Sequence, residues 1–160
     1  MASDPLARHR QIMEAAVAVS MDHVRAGGIP FTALVIDREG AILGRGVNRV
    51  RQHHDPTAHA EVEAIRDACR THGTAQLPGT TLLASGEPCA LCYMSALHAG
   101  ISQVFYAVDR DEAARHGFDY RGTYRLFAQD PRTWQSPAVR KLAVPEGLHP
   151  FLEFRSRRRA

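Results

Sequence analysis

Two short β-rich runs, residues 31–37 (FTALVID) and 41–47 (AILGRGV), meet at Arg38-Glu39-Gly40, and this pairing constrains the chain more than any other feature. Apolar runs joined by so few residues, one of them glycine, form an antiparallel hairpin. Beyond the hairpin and a polar loop at 48–55 (NRVRQHHD), the pattern alternates in type. Helical spacing predicts helices over about 56–72 and 88–99, with apolar strands at 80–85 (TTLLAS) and 103–108 (QVFYAV). Strand, helix, strand, helix, strand implies right-handed crossovers and parallel neighbours. Ahead of the hairpin, Ile12, Ala16, Val19 and His23, with Met13, Val17 and Val24 beside them, predict an amphipathic helix ending near Gly27-Gly28. The expected fold class is α/β: one mixed sheet, opened by the hairpin, with helices on both faces. Past Val108 the pattern supports a short helix over about 111–116, irregular turns over 117–131, and an amphipathic stretch between 136 and 154.

A chain of 160 residues with 44% hydrophobic content has enough apolar material for one core, so residues 1–160 are expected to form one domain. The opening MASDPLARHRQIMEAA carries charges throughout and holds no apolar run of signal-peptide or membrane-span length, which points to a cytoplasmic protein with no membrane partner. Three cysteines suit a metal or the core better than a disulfide framework. The net charge of +3 resides in a tail: without Arg155, Arg157, Arg158 and Arg159, sixteen basic residues face seventeen acidic ones. A solvated terminus accounts for such a tail, and a nucleic-acid partner is not expected.

The two helix openings carry the chemistry. Asp55 before Pro56 offers a side-chain acceptor to orphan backbone N–H groups, which puts His59 in the first turn; Glu87-Pro88 does the same for Cys89, with Cys92 three residues on. A Cys-x-x-Cys pair is a metal chelate, a redox pair or two small core residues, and a lone His on a helix is commonly a packed one. Their conjunction is more specific, because ligands of α/β sheets bind beyond the carboxyl ends of strands, where the next helices begin. Three ligands, His59, Cys89 and Cys92, suit one catalytic Zn²⁺ with water or hydroxide as the fourth ligand, whereas a structural zinc is closed by a fourth residue. Neutral His59 and two thiolates offset the Zn²⁺ charge and leave the cation able to acidify water toward a pKa of about 7. Glu61 diverges from His59 by about 200° on an ideal helix, so it reads as a proton carrier near that water and not as a stacked ligand. Cys69 continues the stripe of Val62 and Ile65 and reads as a core thiol.

His59-Ala60-Glu61 followed by Pro88-Cys89-Ala90-Leu91-Cys92 resembles the zinc signature of the cytidine-deaminase-like superfamily, H-x-E…P-C-x-x-C. Residues 48–66 (NRVRQHHDPTAHAEVEAIR), 87–92 (EPCALC), 104–119 (VFYAVDRDEAARHGFD) and, more weakly, 146–154 (EGLHPFLEF) look most like bacterial guanine deaminases. The resemblance implies a three-layer α/β/α fold with a mixed five-stranded sheet. It also implies zinc on His59, Cys89 and Cys92, Glu61 as proton shuttle, Asn48 and Ala60 at the substrate, and a homodimer in which the tail, about 145–160, reaches toward the partner. The expected reaction is hydrolytic deamination of a free nucleobase or nucleoside, with release of ammonia.

Asn48, just after the second strand, carries a donor and an acceptor able to read a ring amide, and an Asn there also serves to fix a turn. Phe31 is an aromatic wall or a core residue. Phe118-Asp119-Tyr120 departs from the Phe-Asp-Asp run of guanine deaminases by placing a phenol at an expected carboxylate, and His98 stands where those enzymes tend to have an aromatic residue. Asp119, Tyr120 and His98 therefore join the candidate substrate contacts, and cytosine, isocytosine and aminotriazine rings stand beside guanine. A transfer-RNA adenosine deaminase is the nearest rival, and a structural-zinc or nucleic-acid-binding module the non-enzymatic one.

Overall fold

The first helix buries a narrower seam than its apolar content suggests. In a computed structural model, which describes residues 5–159, α1 (Pro5–Arg25) lays Ile12, Met13 and Ala16 on Leu34, Ile36, Leu83 and Phe105. Val17, Val19 and Val24, expected in the same stripe, are 41–48% exposed, because a helix lying on a flat sheet covers little beyond one row of side chains.

The sheet order is β2-β1-β3-β4, from β1 (Thr32–Ile36), β2 (Ile42–Val47), β3 (Thr81–Gly86) and β4 (Gln103–Val108). The hairpin β1–β2 forms as expected, and β3 and β4 are parallel. Two expectations need correction. β1 inserts between β2 and β3 and is antiparallel to both, so the strands joined by α3 (Ala60–His72) share a direction without pairing. The sheet has four strands among the described residues, not five. After β4 the Asp109 carboxylate accepts from Asp111 and Glu112 N–H while Glu112 reaches back to Asp109 N–H, and this capping box starts α5 (Arg110–Arg115), the short helix expected there.

β1 is buried along its whole length, and its alternation feeds two cores. Leu34 and Ile36 face α1. Ala33 and Val35 join Ala60, Ala64, Ile65, Ala68 and Leu82 on the other side, together with Ala96 of α4 (Ala90–His98). Helices thus cover both faces, in the three-layer α/β/α arrangement. The small residues of β2 set how closely α3 lies: a Cβ on Gly44 would stand 2.3 Å from Ala64 O, and one on Gly46 would stand 2.1 Å from Ala60 O. Gly-x-Gly in the strand and Ala at every fourth position of the helix are one packing device, and any side chain at Gly46 would push the start of α3 off the sheet.

The polar loop after β2 contains a one-turn helix, α2 (Val50–His53), which the sequence pattern does not indicate. α6 (Gly122–Phe127) likewise replaces expected irregular turns. The chain forms two compact units that divide after Arg125. In the second, Trp134 Nε1 donates to Leu126 O at 3.1 Å, and α7 (His149–Arg159) holds Arg157 on Glu153 at 2.8 Å. Among the described residues no helix is long and apolar enough to cross a membrane.

Candidate active site

Strand directions decide which residues meet. β2 and β3 end at the sheet edge where β1 begins, with Thr32 opposite Val47 and Ala33 opposite Ala84. Phe31, Asn48 and Glu87, each one residue beyond a strand, therefore converge, and Asn48 N–H donates to Phe31 O at 3.1 Å. α3 and α4 both start at this edge.

His59 and Cys89 are the N-cap residues of these helices, one position earlier than the first turn expected for them. Asp55 does not cap α3. Its carboxylate takes Thr57 N–H at 2.8 Å and Thr57 Oγ1 at 2.7 Å, closing a separate turn that ends before Ala60. Both N-caps have extended backbone and neither side chain makes a cap hydrogen bond. Relieved of capping, the two side chains point at each other: Cys89 Sγ and Cys92 Sγ each lie 3.4 Å from His59 Nδ1, and 3.6 Å from one another.

These separations test the fit of a metal. A tetrahedral zinc with Zn–S of about 2.3 Å and Zn–N of about 2.0–2.1 Å holds its sulfurs about 3.8 Å apart and sulfur and nitrogen about 3.6 Å apart. The triad is within a few tenths of an ångström of that, with all three ligand atoms inside 4.8 Å. The Cys92 hydrogen bond pulls the Cys89 thiol down, while the same bond and burial push the Cys92 thiol up, since two adjacent thiolates repel without a cation between them. The Cys89 contact raises His59. None of the three cysteines is in a disulfide.

A cavity of about 120 Å³ opens on the triad and is lined by Ile29, Phe31, Asn48, Ala60, Glu61, Glu87 and Tyr120 as well. Glu61 is 4% exposed, with Oε2 3.3 Å from Cys92 Sγ, and burial pushes its carboxyl up to about 7. A group balanced near neutrality takes and returns a proton with equal ease. Asn48 serves the turn, since Oδ1 accepts from Val50 N–H at 3.2 Å, and this leaves its NH₂ for a ligand. Phe31 stands edge-on to Phe118 at 5.2 Å and against Gly86, where a Cβ would come within 2.7 Å of its ring. It is both wall and core. The Tyr120 hydroxyl donates to Glu87 O at 2.6 Å, and its ring packs on Val62, Cys89 and Cys92, so this phenol shapes the cavity more than it offers a polar contact.

Two candidates lie elsewhere. Asp119 forks onto Arg121 at 2.9 and 2.8 Å, which holds its carboxyl down to about 2 in an exposed position. His98 ends α4, six residues or about 9 Å of helix beyond Cys92, and lines a separate hollow with Ile65, Arg66 and Cys69. Sequence reasoning misses Glu87 and Ile29, which both line the cavity. It assigns Glu87 to a helix cap; the available signal was its position between a strand end and Pro-Cys.

Residues 6–108 match the cytidine and deoxycytidylate deaminase zinc-binding region. The chain belongs to that deaminase family. Within it, the chain is 37% identical to the guanine deaminase of Bacillus subtilis (strain 168) over 149 residues, 92% of this chain and 94% of that one. The X-ray structure of the Bacillus enzyme superimposes with a TM-score of 0.85 at 36% identity, over the same shares of each chain. The crystal structure of the protein NE0047 in complex with 2,6-diaminopurine is 30% identical with a TM-score of 0.66, over 74% of this chain and 64% of that one. The tRNA-specific adenosine deaminase of Agrobacterium fabrum is 38% identical over 95 residues, 59% of each chain. One Zn²⁺ per chain fits both the zinc-binding family and the His59, Cys89 and Cys92 group.

Proposed function

We propose that this deaminase hydrolyses the exocyclic amino group of a free purine base, with guanine first among its substrates. The carrying observation is the combination of the site with likeness to a guanine deaminase over nearly the whole chain. Zinc, when bound, supplies a Lewis acid that lowers the pKa of water at the cavity floor. The chain does the rest. Phe31 and Tyr120 wall the ring, the Asn48 NH₂ reads its edge, and Ala60, first in α3, offers an N–H outside the helix's own bonding. Glu61 takes one proton from the water and delivers it to a ring nitrogen, then takes the second from the added hydroxyl and delivers it to the departing amine. Carbon–oxygen bond formation and carbon–nitrogen cleavage at one ring carbon exchange NH₂ for oxygen and release ammonia.

Tyr120 tunes this reading. Its hydroxyl donates to Glu87 O, so the cavity carries a neutral phenol, a weaker acceptor, where guanine deaminases of the resembling type carry a carboxylate. Missing one hydrogen-bond partner discriminates by powers of ten. Rates of ammonia release should be compared across guanine, isocytosine, cytosine, adenine, aminotriazines, their nucleosides and a transfer-RNA anticodon stem-loop. Guanine or a closely related free base should lead; deamination of the RNA alone would overturn the proposal.

The reading extends to the whole chain as one deaminase domain, acting in the cytoplasm where its thiols stay reduced, and assembled as a homodimer. Leu148, Phe151, Leu152 and Phe154 are each more than half exposed, and apolar residues so clustered in a short segment suit burial against a partner subunit. Light scattering at micromolar concentration should give twice the mass of 17.7 kDa. A monomer alone would refute the dimer.

A further inference from the structure

We infer that Glu87, clamped by Arg110 and Tyr124, is a positioning residue that fixes the cysteine limb of the metal site. The inference rests on the zinc reading of His59, Cys89 and Cys92 and does not depend on the substrate. Glu87 has a side chain 3% exposed, and a carboxylate that deep is costly unless fully partnered. Arg110 partners both oxygens: its Nε bonds one and its backbone N–H reaches the other at 3.4 Å, while Tyr124 Oη, whose single proton goes to Pro88 O, stands 3.3 Å from the first.

The backbone around it is tied as closely. Glu87 N–H donates to Val108 O at 2.8 Å, Glu87 O accepts from Tyr120, Pro88 O accepts from Tyr124, and Ala90 N–H donates to Thr123 Oγ1 at 3.3 Å. The Arg110 guanidinium lies 3.6 Å from the Tyr124 ring centroid, which locks the clamp to itself. Every hydrogen-bonding group of the Glu87-Pro88 link is thus held by residues 108–124, directly before the Cys89 ligand. The His59 limb is tied locally instead: its side chain bonds the Pro56 backbone, its N–H donates to Thr57 O at 2.8 Å, and the part-exposed Asp55, Thr57 and Arg66 cluster stands before it, with Arg66 3.4 Å from Asp55. An apolar residue at position 87 would fill the same space without any partner; what the ionic clamp adds is a fixed place for the thiolate of Cys89. Groups that orient metal ligands from behind are worth about 10- to 100-fold in metal affinity.

The test tracks zinc and uses no substrate. The zinc-loaded chain is mixed with excess chelating dye and the rate of metal transfer recorded; the cobalt(II)-substituted chain gives the thiolate-to-metal absorption band. Glu87→Gln and Arg110→Gln should each release zinc about 10- to 100-fold faster and shift the cobalt band, and the double variant should be no faster than the faster single. Tyr124→Phe keeps the ring and should accelerate release by a smaller factor. Val35→Ala, a core change matched for lost thermal stability, should leave release and band unchanged. Wild-type zinc retention and cobalt spectrum in the Glu87 and Arg110 variants would overturn the inference, as would equal acceleration by Val35→Ala. If Glu87→Gln fails to fold, release from Tyr124→Phe at the wild-type rate overturns it instead. A chain inactive on guanine yet showing these zinc rates would refute the substrate and leave the clamp standing.

Discussion

Glu61→Gln should retain one zinc per chain and lose about 10²- to 10⁴-fold or more in turnover, the range that a positioned acid–base group contributes. The amide keeps the size and most of the hydrogen-bonding capacity of the carboxylate but cannot carry a proton. Glu61 lines the cavity beside Cys92 and is not among the triad that matches zinc geometry, so metal content and activity separate in this variant. Elemental analysis and ammonia release on the same sample make the measurement. Retained turnover would remove Glu61 from its role as shuttle.

Cys89→Ala should lose metal and activity together. Its sulfur is one of three ligands and sits 3.4 and 3.6 Å from the other two, so alanine leaves a two-ligand site with a gap at a helix N-terminus. The loss should be near complete at stoichiometric zinc, and the variant should still fold, since the two cores on either side of the sheet lie apart from the cluster of Val62, Cys89 and Cys92. Circular dichroism like that of the parent, together with absent zinc, checks both parts. A Cys89→Ala chain that binds zinc as tightly as the parent would refute the ligand set.

The parts of the fold written in local chemistry were legible. The hairpin announces itself through two apolar runs about a glycine, and His59, Cys89 and Cys92 through their spacing from Pro56 and Pro88. What depends on tertiary choice was not. The insertion of β1 between β2 and β3 is a choice among strand pairings that periodicity alone cannot rank. The one-residue error at both helix starts has a single cause. Asp55 and Glu87 have cap chemistry, yet Asp55 closes a turn with Thr57 and Glu87 goes to Arg110, twenty-three residues away, so the ligands themselves become the caps. The resemblance brings His98 among the candidates, since it stands where guanine deaminases tend to have an aromatic residue, but a matched position says nothing about a helix running away from the site. Asp119 and Tyr120 are adjacent, and only the phenol turns inward, where its ring finds Val62 and the cysteines.

The most direct test of the central claim, that this deaminase uses a zinc site on His59, Cys89 and Cys92 to hydrolyse a guanine-type base, is ammonia release from guanine by one preparation in three states. The zinc-loaded chain should release ammonia stoichiometrically with loss of guanine, the chelator-stripped chain should release none, and one equivalent of zinc should restore the rate. Equal rates before and after stripping, or a zinc-loaded chain that leaves guanine intact, would contradict the account.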